Sequence, residues 1–354
     1  MSLLISAPTG SAGPLPPEIG FLAKQGFDPG LLAHAAALAR ACGSDAATAL
    51  LHADLIDEAA YYRALAAALG VPFLPGDLAL GEGTRFPDSL VAGLAPLARP
   101  GPAAFVRAPR GPAIAALLRE GTPMAITTPR ALREAVFAAN PAGIAAHAAD
   151  TLQRRRPDWA LGPGGQGPQL ALLGLLIGAA CLAASLAPAS LLLGAWTLVQ
   201  FLFLATVTFR IAAVSVEAEP EPETPLPDAK LPVYPVLVAL HREARVVPRL
   251  VAALARLDYP VAKLDLKFVI EADDRETGAA LDAAALPARF EVIRVPGGLP
   301  RTKPRALNAA LPLARGACLV VYDAEDLPDP GQLRAACGVQ DHMAQAGLGG
   351  FCRG

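Results

Sequence analysis

The chain has 354 residues, 53% of them hydrophobic, and a mean hydropathy of +0.40, which is high for a soluble protein and places part of it in lipid. A formal net charge of −2 supplies no basic excess of the kind that binds nucleic acid, so that class of partner is excluded. The cysteines, Cys42, Cys181, Cys318, Cys337 and Cys352, match no paired-ligand spacing, which points to a reducing, cytoplasmic setting.

The first 155 residues are rich in Ala and Leu. Apolar positions at helical spacing predict helices over Leu31–Cys42, Ala46–Leu55 and Asp57–Leu69, the last stopped by Gly70 and Val71-Pro72-Phe73. Short strands are expected at Ala103–Arg107 and Met124–Thr127, then a helix from Pro129 to about Asn140. The expectation is a compact α+β domain over 1–155. Asp57-Glu58-Ala59-Ala60-Tyr61-Tyr62-Arg63-Ala64-Leu65-Ala66, the following Leu69-Gly70-Val71-Pro72-Phe73, and Ile126-Thr127-Thr128-Pro129 carry a resemblance. They resemble the N-terminal domain of the type II secretion and type IV pilus assembly ATPases. That resemblance implies a docking or packing domain for an export or secretion partner. Some such domains bind cyclic di-GMP through Arg-Leu-Gly motifs, and no such tripeptide occurs here. The ATPase is absent too, since no G-x-x-x-x-G-K-[ST] is found.

Between Trp159 and Phe209 there is no charged residue. The run divides near Pro188 into Gln169–Ala187 and Ala189–Phe209, each about the 20 residues an α-helix needs to cross a hydrocarbon core of about 30 Å. A transmembrane hairpin over 169–214 is predicted, in contact with membrane lipid. Arg154-Arg155-Arg156 before it and Arg210 near its end put both flanks on the cytoplasmic side by the positive-inside rule, as in a multi-pass protein of a bacterial inner membrane. Glu217 to Asp228, acidic and proline-rich, reads as an extended linker over 215–231.

From there strand and helix patterns alternate: Pro235–Leu240, Val246–Leu257, Leu264–Ile270, Glu276–Ala285, Phe290–Val295, Arg305–Leu313 and Ala317–Tyr322. Such alternation predicts an α/β domain with a parallel sheet, over 232–354. Two acidic clusters follow strands, Glu271-Ala272-Asp273-Asp274 and Asp323-Ala324-Glu325-Asp326. Ligands of parallel α/β sheets bind beyond the carboxyl ends of the strands, so these acids are expected to share one crevice.

Five segments in order, Leu240-His241-Arg242-Glu243-Ala244, Leu257-Asp258-Tyr259-Pro260, Glu271-Ala272-Asp273-Asp274, Lys303-Pro304-Arg305-Ala306-Leu307-Asn308 and Asp323-Ala324-Glu325-Asp326-Leu327-Pro328-Asp329-Pro330, resemble a glycosyltransferase family 2 catalytic domain. The resemblance implies a GT-A nucleotide-sugar-binding fold that transfers a sugar from a nucleotide donor, expected to be a UDP-sugar, to a glycan or polysaccharide acceptor. It implies a nucleotide-sugar site made of Glu243, Glu271, Asp273, Asp274, Lys303, Asn308 and Asp323, with Mg²⁺ or Mn²⁺ held by Asp323 and Glu325. Glu271 and Asp273 would accept from uracil or ribose, and Lys303 would face the diphosphate from a helix start. Glu243 would equally serve to cap the next helix.

In the family, the acceptor base and a Gln/Arg-x-x-Arg-Trp segment follow the metal motif by many tens of residues. Here 28 residues follow Asp326, and the last Trp is Trp196. The expectation is therefore a C-terminally truncated or frameshifted domain without its catalytic base, weak or inactive in transfer. It would leave apolar surface and a strand edge exposed. Two other readings stay open: a non-catalytic membrane adaptor, and a cyclic di-GMP-responsive regulator of an export or polysaccharide system.

Overall fold

The computed structural model describes residues 14–99, 101–160, 167–186, 188–215 and 226–345. The acidic, proline-rich stretch from Glu217 to Pro225 and the tail from Ala346 lie outside these residues. Two compact units emerge, one of residues 1–149 with 224–354, the other of residues 150–223.

In the first unit the N-terminal helices are α1 (Pro17–Lys24), α2 (Pro29–Cys42), α3 (Ala46–His52) and α4 (Glu58–Leu69). Aspartates begin three of them: Asp28, Asp45 and Asp57 each accept a backbone N–H of the first turn, which removes an otherwise unpaired donor. Then follow α5 (Asp88–Ala92), β1 (Leu94–Pro96), β2 (Phe105–Arg107), α6 (Pro112–Glu120), β3 (Ala125–Ile126), α7 (Pro129–Ala139) and α8 (Pro141–Arg155). Strands β1, β2 and β3 form a small mixed sheet.

The second sheet takes β4 (Tyr234–Leu240), β5 (Leu264–Glu271), β6 (Phe290–Val295) and β7 (Val320–Tyr322) in the order β6-β5-β4-β7, all parallel. Helices α11 (Val247–Ala255), α12 (Arg275–Ala283), α13 (Lys303–Ala310) and α14 (Gln332–Gln345) connect or follow the strands. The α/β architecture and parallel sheet follow the sequence expectation. Strand β7 begins later than the expected Ala317. The chain passes so close to the start of β4 at Gly316 that any Cβ there would collide with the Val233 carbonyl, and pairing with β4 starts only at Val320.

Because side chains alternate along a strand, each face of this sheet has its own cover. Val236, Val238, Leu266, Phe268 and Ile270 pack with Leu250 and Leu254 of α11 and Leu281 of α12. On the opposite face, Leu237, Val269, Ile293 and Val295 pack with Ala306, Ala309 and Ala310 of α13. Phe137 of α7, with Ile144 and Ala148 of α8, joins the same cluster. The N-terminal segment thus shares with α13 the cover of one face, and every residue of β5 is buried. An exposed edge remains at β7, where Leu319 and Val321 stand 41% and 43% open.

The second unit contains α9 (Gly167–Leu186) and α10 (Pro188–Ser215), both apolar and with their described side chains exposed. Ala189–Ser215 is long and apolar enough to cross a membrane, whereas the apolar part of α9 is the shorter Gly167–Ala183.

His52 of α3 reaches the C-terminal half, its Nδ1 lying 3.2 Å from the Val261 carbonyl. Burial pushes its pKa down to about 4, and the positive charge of Arg315 adds to the effect. The folded value lies below the ordinary 6.5, so the unfolded chain binds this proton first. Stability is present above pH 6.5 and is lost as pH falls toward 4. Thermal unfolding of the wild type should therefore drop between pH 7 and 5 by roughly 2–4 °C more than that of His52→Gln.

Candidate active site

The order β6-β5-β4-β7 reverses direction at β4: β5 and β6 extend to one side of it and β7 is added on the other. A crevice opens where such a reversal occurs, beyond the carboxyl ends of the strands. A cavity of about 360 Å³ lies there, lined by Leu240, His241 and Glu243 after β4, Glu271 at the end of β5, Arg301, Thr302 and Lys303 at the start of α13, and Asp323 and Glu325 after β7.

The structure brings five of the expected residues to this cavity: Glu243, Glu271, Lys303, Asp323 and Glu325. Lys303 Nζ forms an ion pair with Asp323 Oδ1 across it. No side chain caps α13, so its partly positive N-terminus is left at the cavity rim beside Lys303. Asp326 turns away and accepts the Asp323 backbone N–H at 2.8 Å, which shapes the turn carrying Asp323 and Glu325.

Glu271 is committed elsewhere in part. Its two oxygens accept from Arg305 Nη2 at 2.5 and 2.6 Å, and Arg305, 2% exposed, also donates from Nη1 to the Pro296 carbonyl at 3.2 Å. The pair ties α13 to the ends of β5 and β6. Arg305 went unrecognised in the sequence because its motif reads as a helix start on which Lys303 has the obvious role. The signal available was an arginine two residues after Lys303 on a helix facing an acid-terminated strand.

Asp273 is at the surface, ion-paired with Arg301 at 2.8 Å. Asp274 is a structural cap rather than a cavity residue: it accepts from Thr277 N at 3.1 Å at the start of α12 and from Arg242 N at 2.6 Å. Burial alone would raise its carboxyl, but these N–H donors hold it below the usual carboxylate range. The bond from Arg242 also holds that residue in the left-handed region, at φ 58°, where a non-glycine side chain is uncommon. Glu243 N donates to Thr277 Oγ1 at 3.0 Å, so the two loops are pinned together and Glu243 is set at the cavity. Asn308 is also not a cavity residue. Its amide donates to the Ala148 carbonyl at 3.0 Å, on the face where α8 packs against α13.

Among the described residues no three His, Cys, Asp or Glu side chains gather as a ready-made metal cage. Asp323 and Glu325 provide two hard oxygen ligands. That donor set fits Mg²⁺ or Mn²⁺ bound jointly with a ligand's phosphates, the usual mode for cations that keep waters and few protein ligands. Occupation would require Lys303 to release Asp323 Oδ1.

The family model described as glycosyltransferase like family 2 matches residues 232–351, which contain this whole cavity. Residues 232–351 are a glycosyltransferase family 2-like domain. The chain is similar to the solved structure of the mannosyltransferase PcManGT from Pyrobaculum calidifontis in complex with GDP-Man and Mn²⁺. It is 27% identical over 38% of this chain and 40% of that one, with a TM-score of 0.33. The similarity thus spans well under half of that protein's length. No curated protein matches the sequence.

Within the glycosyltransferase-like domain, Arg305 and Asp274 should matter to folding before binding. Arg305→Met leaves Glu271 as a buried unpaired carboxylate and should cost about 3–5 kcal/mol in denaturant unfolding. Asp274→Ala removes a helix cap together with the acceptor of Arg242, and should cost about 1–2 kcal/mol in the same measurement.

Proposed function

We propose that the chain is a membrane-bound glycosyltransferase that binds a nucleotide-sugar donor in the cavity at the β4 and β7 ends and transfers its sugar to a glycan acceptor. The observation that carries this reading is the convergence of Lys303, Asp323 and Glu325 on one cavity beside the free N-terminus of α13. Breaking the bond between an anomeric carbon and a nucleoside diphosphate leaves negative charge on the departing phosphates. Lys303 and the start of α13 suit that charge directly, and the two carboxylates suit it through a cation. A divalent cation bound by Asp323 and Glu325 would supply a Lewis acid to the diphosphate. Lys303, freed from Asp323, would contribute a point charge to the same oxygens, and the helix start would add backbone dipoles.

Glu243 then has the nucleoside as its natural partner, as an acceptor for base or ribose hydroxyls, and Glu271 would join it only by sharing oxygens that Arg305 already holds. Asp273 would join them only by leaving Arg301. The resemblance of the N-terminal segment to secretion-ATPase N-terminal domains supports, in this reading, a second contact with an export system.

The membrane part of the proposal gains support from the packing of the first unit. Residues 1–149 and 224–354 share one core, so both must lie on the same side of any bilayer. A hairpin of α9 and α10, crossing twice, agrees with that shared core better than a single span would. Arg154, Arg155 and Arg156 ahead of α9 support a cytoplasmic location for that common side under the positive-inside rule.

Binding of UDP- and GDP-linked sugars to the full chain in detergent, titrated with and without Mn²⁺, tests the donor reading. Saturable binding that needs Mn²⁺ is expected. Asp323→Asn and Lys303→Met should each weaken it by about tenfold or more, while the melting temperature stays within a few degrees. Absence of nucleotide-sugar binding by the folded wild type would refute the reading.

A further inference from the structure

A second and larger cavity, of about 870 Å³, lies at the opposite end of the same sheet, between the N-terminal segment and the glycosyltransferase-like domain. Around it acids and bases answer one another: Lys267 pairs with Asp265 and Glu291, Arg315 with Asp265, Arg133 with Glu291, Arg294 with Asp282 and Arg130 with Glu134. The donor cavity is built differently, because there one ion pair occupies a group that the proposed chemistry needs.

The carboxylates of the donor cavity are not equivalent. Glu271 is held by Arg305, and Asp273 near its rim is held by Arg301 at 2.8 Å. Asp323 is held by Lys303. Glu325 lines the same cavity and enters no ion pair among the described residues. Of the two acids suited to a divalent cation, then, one is open and the other already carries an ammonium. Asp323 Oδ2 remains, but a divalent cation on it would stand a few ångströms from the Lys303 ammonium, and the two repel.

Lys303 is at the same time placed where an anion belongs. It is the first residue of α13, whose N-terminus has no side-chain cap and so presents unpaired N–H groups and a partial positive charge. Both side chains of the pair are partly open, Lys303 by 38% and Asp323 by 60%, so each has room to exchange partners. The turn beneath them is fixed independently, since Asp326 accepts the Asp323 backbone N–H at 2.8 Å. Asp323 therefore keeps its place when Lys303 leaves it.

Resting on the donor reading of this cavity, we infer that Lys303 occupies Asp323 until a diphosphate binds and then moves to the diphosphate, so that cation and nucleotide enter together rather than in sequence. The diphosphate removes the competitor for Asp323, and the cation removes the competitor for Lys303. Each raises the affinity for the other by the same factor, as linkage requires. The two carboxylates are thus assembled as a cation site only around a donor.

The test measures metal and nucleotide separately on the full chain in detergent. Mn²⁺ alone, followed by loss of the electron paramagnetic resonance signal of the free ion, should bind the wild type weakly and Lys303→Met about fivefold or more tightly. Arg301→Met removes a cation from the same cavity without freeing Asp323, and should change Mn²⁺ affinity less than about twofold. Lys303→Arg keeps the pair and should stay near the wild type. In EDTA, UDP and GDP titrated calorimetrically should bind Asp323→Asn about threefold or more tightly than the wild type, because Lys303 is released, whereas Glu325→Gln should change that affinity less than about twofold. With Mn²⁺ present, Asp323→Asn should instead bind more weakly than the wild type. A Lys303→Met protein that melts like the wild type and binds Mn²⁺ no more tightly overturns the exchange. So does an Arg301→Met protein that gains as much, or an Asp323→Asn protein that binds nucleotide no more tightly in EDTA. Any of these results with Mn²⁺-dependent sugar-nucleotide binding intact leaves the donor reading standing. A folded wild type that binds no nucleotide removes the donor reading and the exchange with it.

Discussion

A parallel sheet has to be covered on both faces, and here the second cover comes from the far end of the chain. Leu237, Val269, Ile293 and Val295 would otherwise meet water, and burying each such side chain contributes about 1.5–3 kcal/mol. Phe137, Ile144 and Ala148 share that burial with the alanines of α13. Both cavities depend on this packing. One sits at the end of the sheet where α13 begins, and the other is walled on one side by the covering segment itself.

Placing polar groups inside that seal has consequences at each end of β5. At the carboxyl end, Glu271 is neutralised by the buried Arg305, so the strand end is fixed in place and the more exposed Asp323, Glu325 and Lys303 remain at the cavity. At the amino end the neutralisation is spread over more groups. Asp265 and Lys267 are almost fully buried and share their charge with arginines from several elements. A buried cluster of this kind is weak as a source of stability and strong as a constraint on which partners can approach it.

Much of the catalytic-type domain was legible because its strands are apolar runs and its acids follow them directly. That Glu271 and the Asp323–Glu325 turn share a crevice was readable from position, since the ends of parallel strands converge, whereas Lys303 entered through the family resemblance. The places of Asn308 and Asp274 were not readable, because both are polar residues near a motif, and sequence does not say whether a side chain serves a ligand or a neighbouring backbone. The charged cluster was hidden for a different reason. Leu264-Asp265-Leu266-Lys267-Phe268 alternates as a strand with one wet face does, yet both faces are buried. That face is tolerable because Lys267 pairs with Asp265 and with Glu291 of β6, and Arg315 reaches Asp265 from beyond α13; no local pattern encodes those meetings.

The cover of the sheet is also made before the sheet. During synthesis α7 and α8 leave the ribosome first, the two apolar helices follow, and β4 to β6 come last. Until then Phe137, which Phe86 touches, and Ile144 lack the strands that complete their burial. The late strands thus assemble against a surface already waiting for them. A ribosome that pauses within the apolar helices would hold that surface incompletely covered, and a chaperone would find its binding site there, on the half of the molecule that carries none of the proposed donor residues.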